Sequence, residues 1–318
     1  MDFSHLSHIA IAIIAPVILM TGVGFLLGWR RILEPEPIAT LYMTVFTPAM
    51  ALKGWLAADL SGGDLANVFL FSILVAVALQ IVANIISRFL GHDRAMRGAF
   101  ANGAVMYNSA NYGLPVQKMA FGERGGNLQT LVLMIQSLVA FTLGSFNAAS
   151  NSPNMKATAI QVLKMPVMWA TILGGLIHWR TNITWSNLET NMPMLWAPLN
   201  FFQDALVPVA LISLGVQLSR VKVHGKALVI VLACFLRLVL GPLAGLGIGL
   251  AMGLRGEMLA ILVVSVSFPT AVFSSVVASS FKNHEDFAAA QVFVSTVASI
   301  VTVTLVIYLS KVYIVPLT

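Results

Sequence analysis

Eight residues running from Asn108 to Pro115, NSANYGLP, place two amides, a hydroxyl and a phenol inside an otherwise apolar run. A helix facing lipid has no use for so many hydrogen-bonding side chains. Gly113 loosens the backbone there, and Pro115 removes an N–H and clashes with the preceding turn, so the helix is predicted to break. A break at mid-depth leaves carbonyls and N–H groups that must be satisfied by side chains or by a ligand. A second stretch, SVSFPT from Ser265 to Thr270, has the same character, with Pro269 as its breaker. Half-helices that begin near the middle of a membrane point partial positive charge at that level, which suits a carboxylate. Two interrupted spans at matching places in two halves of a chain point to a transport site. The candidate binding residues are therefore Asn108, Asn111, Tyr112, Gly113 and Pro115 from the first stretch, and Ser267, Phe268, Pro269 and Thr270 from the second.

Two cations join this set. Arg237 sits in CFLRLVLG, deep in an apolar run, and Lys53 follows Pro48 in TPAMALKG. A charge inside a span is costly and is a functional candidate by default. No carboxylate is expected deep in a span to pair with either, so an anionic substrate is a natural partner. The bland alternative is snorkelling of the head group to the interface, easier for Lys53 than for Arg237. Asp204 is the one acid near a span edge and reads as a surface acid or a weak proton-coupling candidate. Gln136, Gln217 and Gln291 read as helix–helix hydrogen-bonding residues. Asn127 is expected in a loop, without a role. No G-x-S-x-G, H-E-x-x-H or Walker-type loop occurs, and Cys234 is the single cysteine, so neither an enzyme nor an ATP-driven or metal-dependent protein is expected, and no cofactor.

The elements that must hold these residues are transmembrane helices. Hydrophobic residues make up 58% of the 318 and charged ones 9%, against about 25% charged in soluble domains; the mean hydropathy is +0.89. Taking about 20 apolar residues as one crossing, ten spans are predicted, near 9–28, 38–56, 65–90, 97–121, 128–148, 159–179, 199–218, 227–252, 258–281 and 288–312. The leader MDFSHLSH carries no Lys or Arg and is not expected to be a cleaved signal. Loops after odd spans hold Arg30, Arg31, Arg88, Arg94, Arg97, Lys156, Lys164, Arg220, Lys222, Lys226 and Lys282. The other side holds Lys53, Lys118, Arg124, Arg180, Arg255 and Lys311. The excess predicts that the odd-span loops are cytoplasmic and both termini lie outside, in an inner (plasma) membrane. The net charge of +6 then serves topology and anionic headgroups, not nucleic acid.

A repeat is visible. PVILMTGVGFLLGWR ends at Arg30 and PVMWATILGGLIHWR at Arg180, with seven of fifteen positions identical, including Pro, Trp and Arg. TPAMALKG around Pro48 and VPVALISLG around Pro208 continue the likeness. Two halves, 1–148 and 149–318, each with five spans, must enter the membrane from opposite sides. That is an inverted repeat, a construction found in many secondary transporters.

These motifs resemble the auxin efflux carrier family, which includes the plant PIN carriers and bacterial carriers of the malonate or malate type. NSANYGLPV from Asn108 is similar to the family's Asn-rich segment ending in Gly-x-Pro. FPTAVFSSVVASSFKNHEDFAAAQVFVSTVASIVTV is similar to its Pro-containing crossover helix, acidic turn and final span, and TPAMAL also fits. The resemblance implies an all-α membrane protein with ten helices in two inverted five-helix repeats. It implies two broken helices crossing at their prolines, as in the sodium/proton antiporter and bile acid symporter folds. It implies a scaffold domain and a crossover domain moving as an elevator, a small carboxylate bound beside the crossing at Asn108, Pro115 and Pro269, and a homodimer in lipid. The long cytoplasmic loop of many plant members is missing after the fifth span, which favours a dicarboxylate over auxin. Proton or sodium coupling stays open. The competing readings are a cation/proton antiporter of the same build, whose crossing should carry acids, a passive channel or regulatory membrane protein, and an intramembrane enzyme.

Overall fold

The computed structural model describes residues 10–57, 62–148, 166–181, 183–221 and 227–316. All regular elements among them are helical. In chain order they are α1 (10–29), α2 (35–57), α3 (Gly62–Phe89), α4 (Arg94–Val105), α5 (Ser109–Ala148) and α6 (Pro166–Arg180). The chain continues through α7 (Trp185–Asn191), α8 (Pro193–Leu218), α9 (Ala227–Ala251), α10 (Gly256–Ser265), α11 (Val272–Ser280) and α12 (Glu285–Ile314). Five of these, α3, α5, α8, α9 and α12, are long and apolar enough to cross a membrane. The expected start of the sixth span at Ala159, the boundary between the two halves after 148, and Lys156, Lys164, Lys222 and Lys226 lie outside the described residues.

Local chemistry explains where the helices start. Asp93 caps α4 by accepting from the Met96 N–H at 2.7 Å, and Thr184 with Asn187 forms a capping box on α7. Pro193 opens α8, where a missing N–H costs nothing. The apolar run predicted as one span over 97–121 is two pieces. α4 stops at Val105, and α5 opens at Ser109 with a widened π-turn over Ser109–Gly113. The run predicted over 258–281 is likewise divided into α10 and α11 around a non-helical stretch at 266–271. Within α5, Gly122 has φ 63° and ψ −151°, a conformation open to glycine, and kinks the chain between two helical stretches. Asn127 therefore stands in helix and is 6% exposed, not in a loop.

Two contacts between distant helices organise the periphery. α1 lies along α8 so closely that a Cβ on Gly24 would sit 2.1 Å from the Ile212 carbonyl oxygen, and one on Gly215 2.0 Å from that of Thr21. α6 lies along α2, where a Cβ on Gly174 would meet the Trp55 ring at 2.9 Å. Small residues allow such approach, which is how helices associate where lipid removes the hydrophobic drive. Gly24 and Gly174 occupy the same position of the fifteen-residue repeat. Trp29 and Trp179, also equivalent, are both exposed at helix ends, as interfacial aromatics are. Inside, α3, α4, α5, α9, α10 and α12 share one core that includes Phe71, Leu79, Phe100, Leu128 and the buried run from Leu259 to Val264. Leu19, Phe89 and Val301 are among the large apolar side chains exposed on the outside, consistent with a lipid-facing perimeter.

Candidate functional site

The two interrupted helices meet. Between α4 and α5 the chain leaves the helix at 106–108, between α10 and α11 it turns at 266–268 and then straightens, and the two pieces pair antiparallel at Tyr107 and Thr270. The Asn108 N–H donates to the Pro269 carbonyl, and the Ala271 N–H to the Met106 carbonyl, each at 2.8 Å. Backbone groups freed by the breaks thus satisfy one another. Pro269 contributes its carbonyl while its missing N–H leaves no donor to place.

Side chains complete the junction. The Thr270 hydroxyl donates to the Gly103 carbonyl at 2.8 Å, and its N–H to the Ser295 hydroxyl at 3.1 Å. Ser267 returns its hydroxyl to the Val264 carbonyl at 2.7 Å, closing the end of α10. Phe268 is fully buried, with its ring 5.7 Å from that of Tyr112. A Cβ on Gly113 would lie 2.8 Å from that same Phe268 ring, so the glycine makes room for the aromatic. The Tyr112 and Ser299 hydroxyls are 3.1 Å apart. Pro115 stands in the first turn of the α-helical part of α5, buried. Asn111 points away from this group, its amide 3.5 Å from the Gln217 oxygen on α8.

Two polar groups at the start of α5 are different. The Asn108 amide nitrogen and the Ser109 hydroxyl are buried and have no hydrogen-bond partner among the described residues. Asn108 is 5% exposed and Ser109 2%. Leaving such a group unmet costs about 1–3 kcal/mol, so each calls for an explanation. They stand beside the first N–H groups of a helix, which have no intrahelical acceptor. Ser274, in the first turn of α11, also has an unpartnered buried hydroxyl. The donor set suits an anionic oxygen.

Arg237 is fully buried on α9, on a π-turn over Leu236–Leu240. Its two terminal nitrogens donate to the carbonyls of Ala104 and Val266, and its guanidinium stands 4.9 Å from the centre of the Tyr107 ring. Sequence reasoning left it looking for an anionic partner; the structure supplies carbonyls instead. Lys53 has no contact with the crossing segments. It donates to the Gln203 oxygen at 2.6 Å and pairs with Glu123 at 3.4 Å, with Trp185 5.7 Å away. Glu123 follows the Gly122 turn and also pairs with Lys118. Asp204 is exposed beside Asn200.

The pattern at the breaks did not point to Gln117 and Gln129. Gln117 donates to the Ile261 carbonyl at 2.7 Å and to Ser265 at 3.0 Å. Gln129 donates to the Ser109 carbonyl and accepts from Ser265 at 2.6 Å. They tie α5 to α10, and the only sequence signal for them is an amide in an apolar run. Gln217 bridges helices as expected, whereas both ends of the buried Gln291 side chain lack a partner among the described residues.

Comparison with known proteins places the chain in a family. Residues 9–307 match the family described as membrane transport protein. A transporter of Methanothermobacter thermautotrophicus, described as uncharacterized, is 26% identical over 91% of this chain and 94% of its own length. The Escherichia coli K12 transporter YfdV, described in the same way, is 24% identical over 93% of this chain and 96% of its own. The likeness runs through both helix breaks and both copies of the repeat, and the chain belongs to the membrane transport protein family of auxin efflux carriers, as a multi-pass membrane transporter.

Proposed function

We propose that this transporter is a secondary carrier of a small organic anion, a mono- or dicarboxylate such as malonate or malate, bound at the crossing of the two broken helices. The observation that carries the reading is the pair of buried, unpartnered groups on Asn108 and Ser109 at the opening turn of α5. Donors held ready beside a helix N-terminus, in surroundings of low dielectric, favour a carboxylate. Among the described residues no Asp or Glu is buried, which speaks for an anion over the cation/proton exchange that acids at a crossing would serve.

The proposal extends to the architecture. The ten segments α1, α2, α3, α4 with the first part of α5, the rest of α5, α6, α8, α9, α10 with α11, and α12 are read as two inverted five-helix repeats. The equivalent glycines Gly24 and Gly174 support this, since each packs on the second helix of the opposite half. On this reading α1, α2, α6 and α8 form the scaffold. The remaining helices form a crossover domain that carries the substrate by elevator motion, in a homodimer in the inner membrane with both termini outside the cytoplasm.

The test uses purified protein and a panel of malonate, malate and monocarboxylates. Saturable uptake into liposomes with counterflow is expected; uptake linear in concentration without counterflow indicates a channel. Losing one hydrogen bond to a charged group costs about 1.5–3 kcal/mol, so Asn108→Ala should weaken binding about ten- to a hundredfold. Its fold should persist, because the amide nitrogen has no protein partner to lose. Asp204→Asn, at an exposed site, is the control. Unchanged affinity in well-folded Asn108→Ala protein removes the crossing from the account of binding.

A further inference from the structure

Four helix ends converge where α4, α5, α10 and α11 break. α4 and α10 bring their C-termini, and α5 and α11 their N-termini. A helix end carries about half a unit of charge, negative at the C-terminus and positive at the N-terminus. The two negative ends together amount to about one negative unit, and one guanidinium spans both: Arg237 donates to Ala104 at the end of α4 and to Val266 at the end of α10. The seat is shaped for it. A Cβ on Gly241 would fall 2.6 Å from an Arg237 terminal nitrogen, so that position must stay bare. The Tyr107 ring offers its face at 4.9 Å. No Asp or Glu pairs with Arg237 among the described residues.

In broken-helix transporters, carbonyls at unwound segments and half-helix C-termini are the groups that coordinate a coupling sodium ion. Here that kind of carbonyl pair is occupied by a side chain. We propose that Arg237 is a resident cation. It holds the two broken helices in register, takes the place a coupling sodium ion would otherwise occupy, and sets the site's preference for anions. With the negative ends cancelled, the positive N-termini of α5 and α11 dominate the field at the crossing. The anion-selectivity part rests on the proposed carrier function; the register and cation-replacement parts do not. Arg237 acts through the helices and is a positioning residue.

The experiment reads thermal stability of detergent-purified protein, so it needs no substrate. Wild-type Tm is expected to be the same in sodium chloride and in choline chloride. Arg237→Ala leaves two buried carbonyls and two negative helix ends unmet, and its Tm should fall. Millimolar guanidinium chloride should restore most of that loss in Arg237→Ala and leave wild type unmoved, while urea at the same concentration restores nothing. Sodium should raise the Tm of Arg237→Ala above its value in choline, because the carbonyl seat becomes open to an ion. Arg237→Lys keeps the charge but cannot span both carbonyls, and should lie between the two. If Arg237→Ala does not fold, the same salt comparison on wild type and Arg237→Lys decides. A wild-type Tm that rises with sodium overturns the proposal. So does an Arg237→Ala protein as stable as wild type, or one indifferent to guanidinium. Malonate binding in parallel separates the two readings. Failure to bind malonate with intact guanidinium rescue refutes the substrate assignment alone, and lost rescue with intact malonate binding refutes the resident cation alone.

Discussion

The two helix breaks are chemically alike in sequence and unlike in use. Between Ser265 and Thr270 every side-chain hydroxyl is bonded inside the protein: Ser265 to Gln129, Ser267 to Val264 and Thr270 to Gly103. Between Asn108 and Ser109 the side-chain donors are buried and unmet. From Ser265 to Thr270 the break is finished by the fold, with the unmet hydroxyl of Ser274 lying past it in α11, whereas at Asn108 and Ser109 it is left incomplete. A buried polar group that is satisfied rigidifies its surroundings, whereas an unsatisfied one is a cost that a ligand can relieve. On the proposed function, the contrast gives the second break the part of support and the first that of recognition, although proline and small polar residues mark both.

Three substitutions sharpen or break that contrast. The largest effect is expected for Phe268→Ala. The ring fills the space over Gly113 and beside Tyr112, and removing a buried aromatic typically costs about 3–5 kcal/mol. A large drop in Tm, with substrate unable to recover it, is the expected outcome; a stable variant means that the crossing is loosely packed and the two breaks are independent. Next comes Thr270→Val, which keeps the volume but strands the Gly103 carbonyl at a cost of about 1–3 kcal/mol. Its Tm should fall while the affinity of the remaining folded protein stays near wild type. Affinity lost without stability would reverse the assignment of the two breaks. The smallest stability effect, within about 0.5 kcal/mol, is expected for Ser109→Ala, since no protein partner is lost. Its signature is weaker substrate binding at unchanged Tm, and a clear Tm loss would show that Ser109 is structural after all.

Much of this construction was legible in the sequence. Hydropathy located the apolar helical runs because lipid demands uninterrupted apolar length; glycine with proline located the first break and Pro269 alone the second, because those residues act on their own backbone. The polar content of NSANYGLP was read correctly as out of place. What stayed hidden depends on partners far along the chain. Arg237 was seen as a charge in need of an anion, yet it meets carbonyls of Ala104 and Val266, and a carbonyl leaves no trace in residue type. Gln117 and Gln129 were overlooked for the same reason. Asn127 falls between the spans predicted at 97–121 and 128–148, which makes it a loop residue by hydropathy; it is buried in helix, with an unpartnered side-chain oxygen. Lys53 was weighed against snorkelling, and the Glu123 that holds it stands beyond the Gly122 turn, where hydropathy marks only the end of a span.

The approach of α1 to α8 and of α6 to α2 has a consequence for biogenesis. Gly24 and Gly215 form a seam between α1 and a helix that follows it by well over a hundred residues, so α8 leaves the ribosome long after α1. Until α8 is made, the small-residue face of α1 has no partner to close on. Its helical hydrogen bonds are complete, but its interface waits. The seam at Gly174 is filled by Trp55, which has been waiting in turn. Both seams join segments far apart in sequence, so neither can close until the later helix of its pair is present. A chain cut before α8 would leave the Gly24 face of α1 uncovered by the protein.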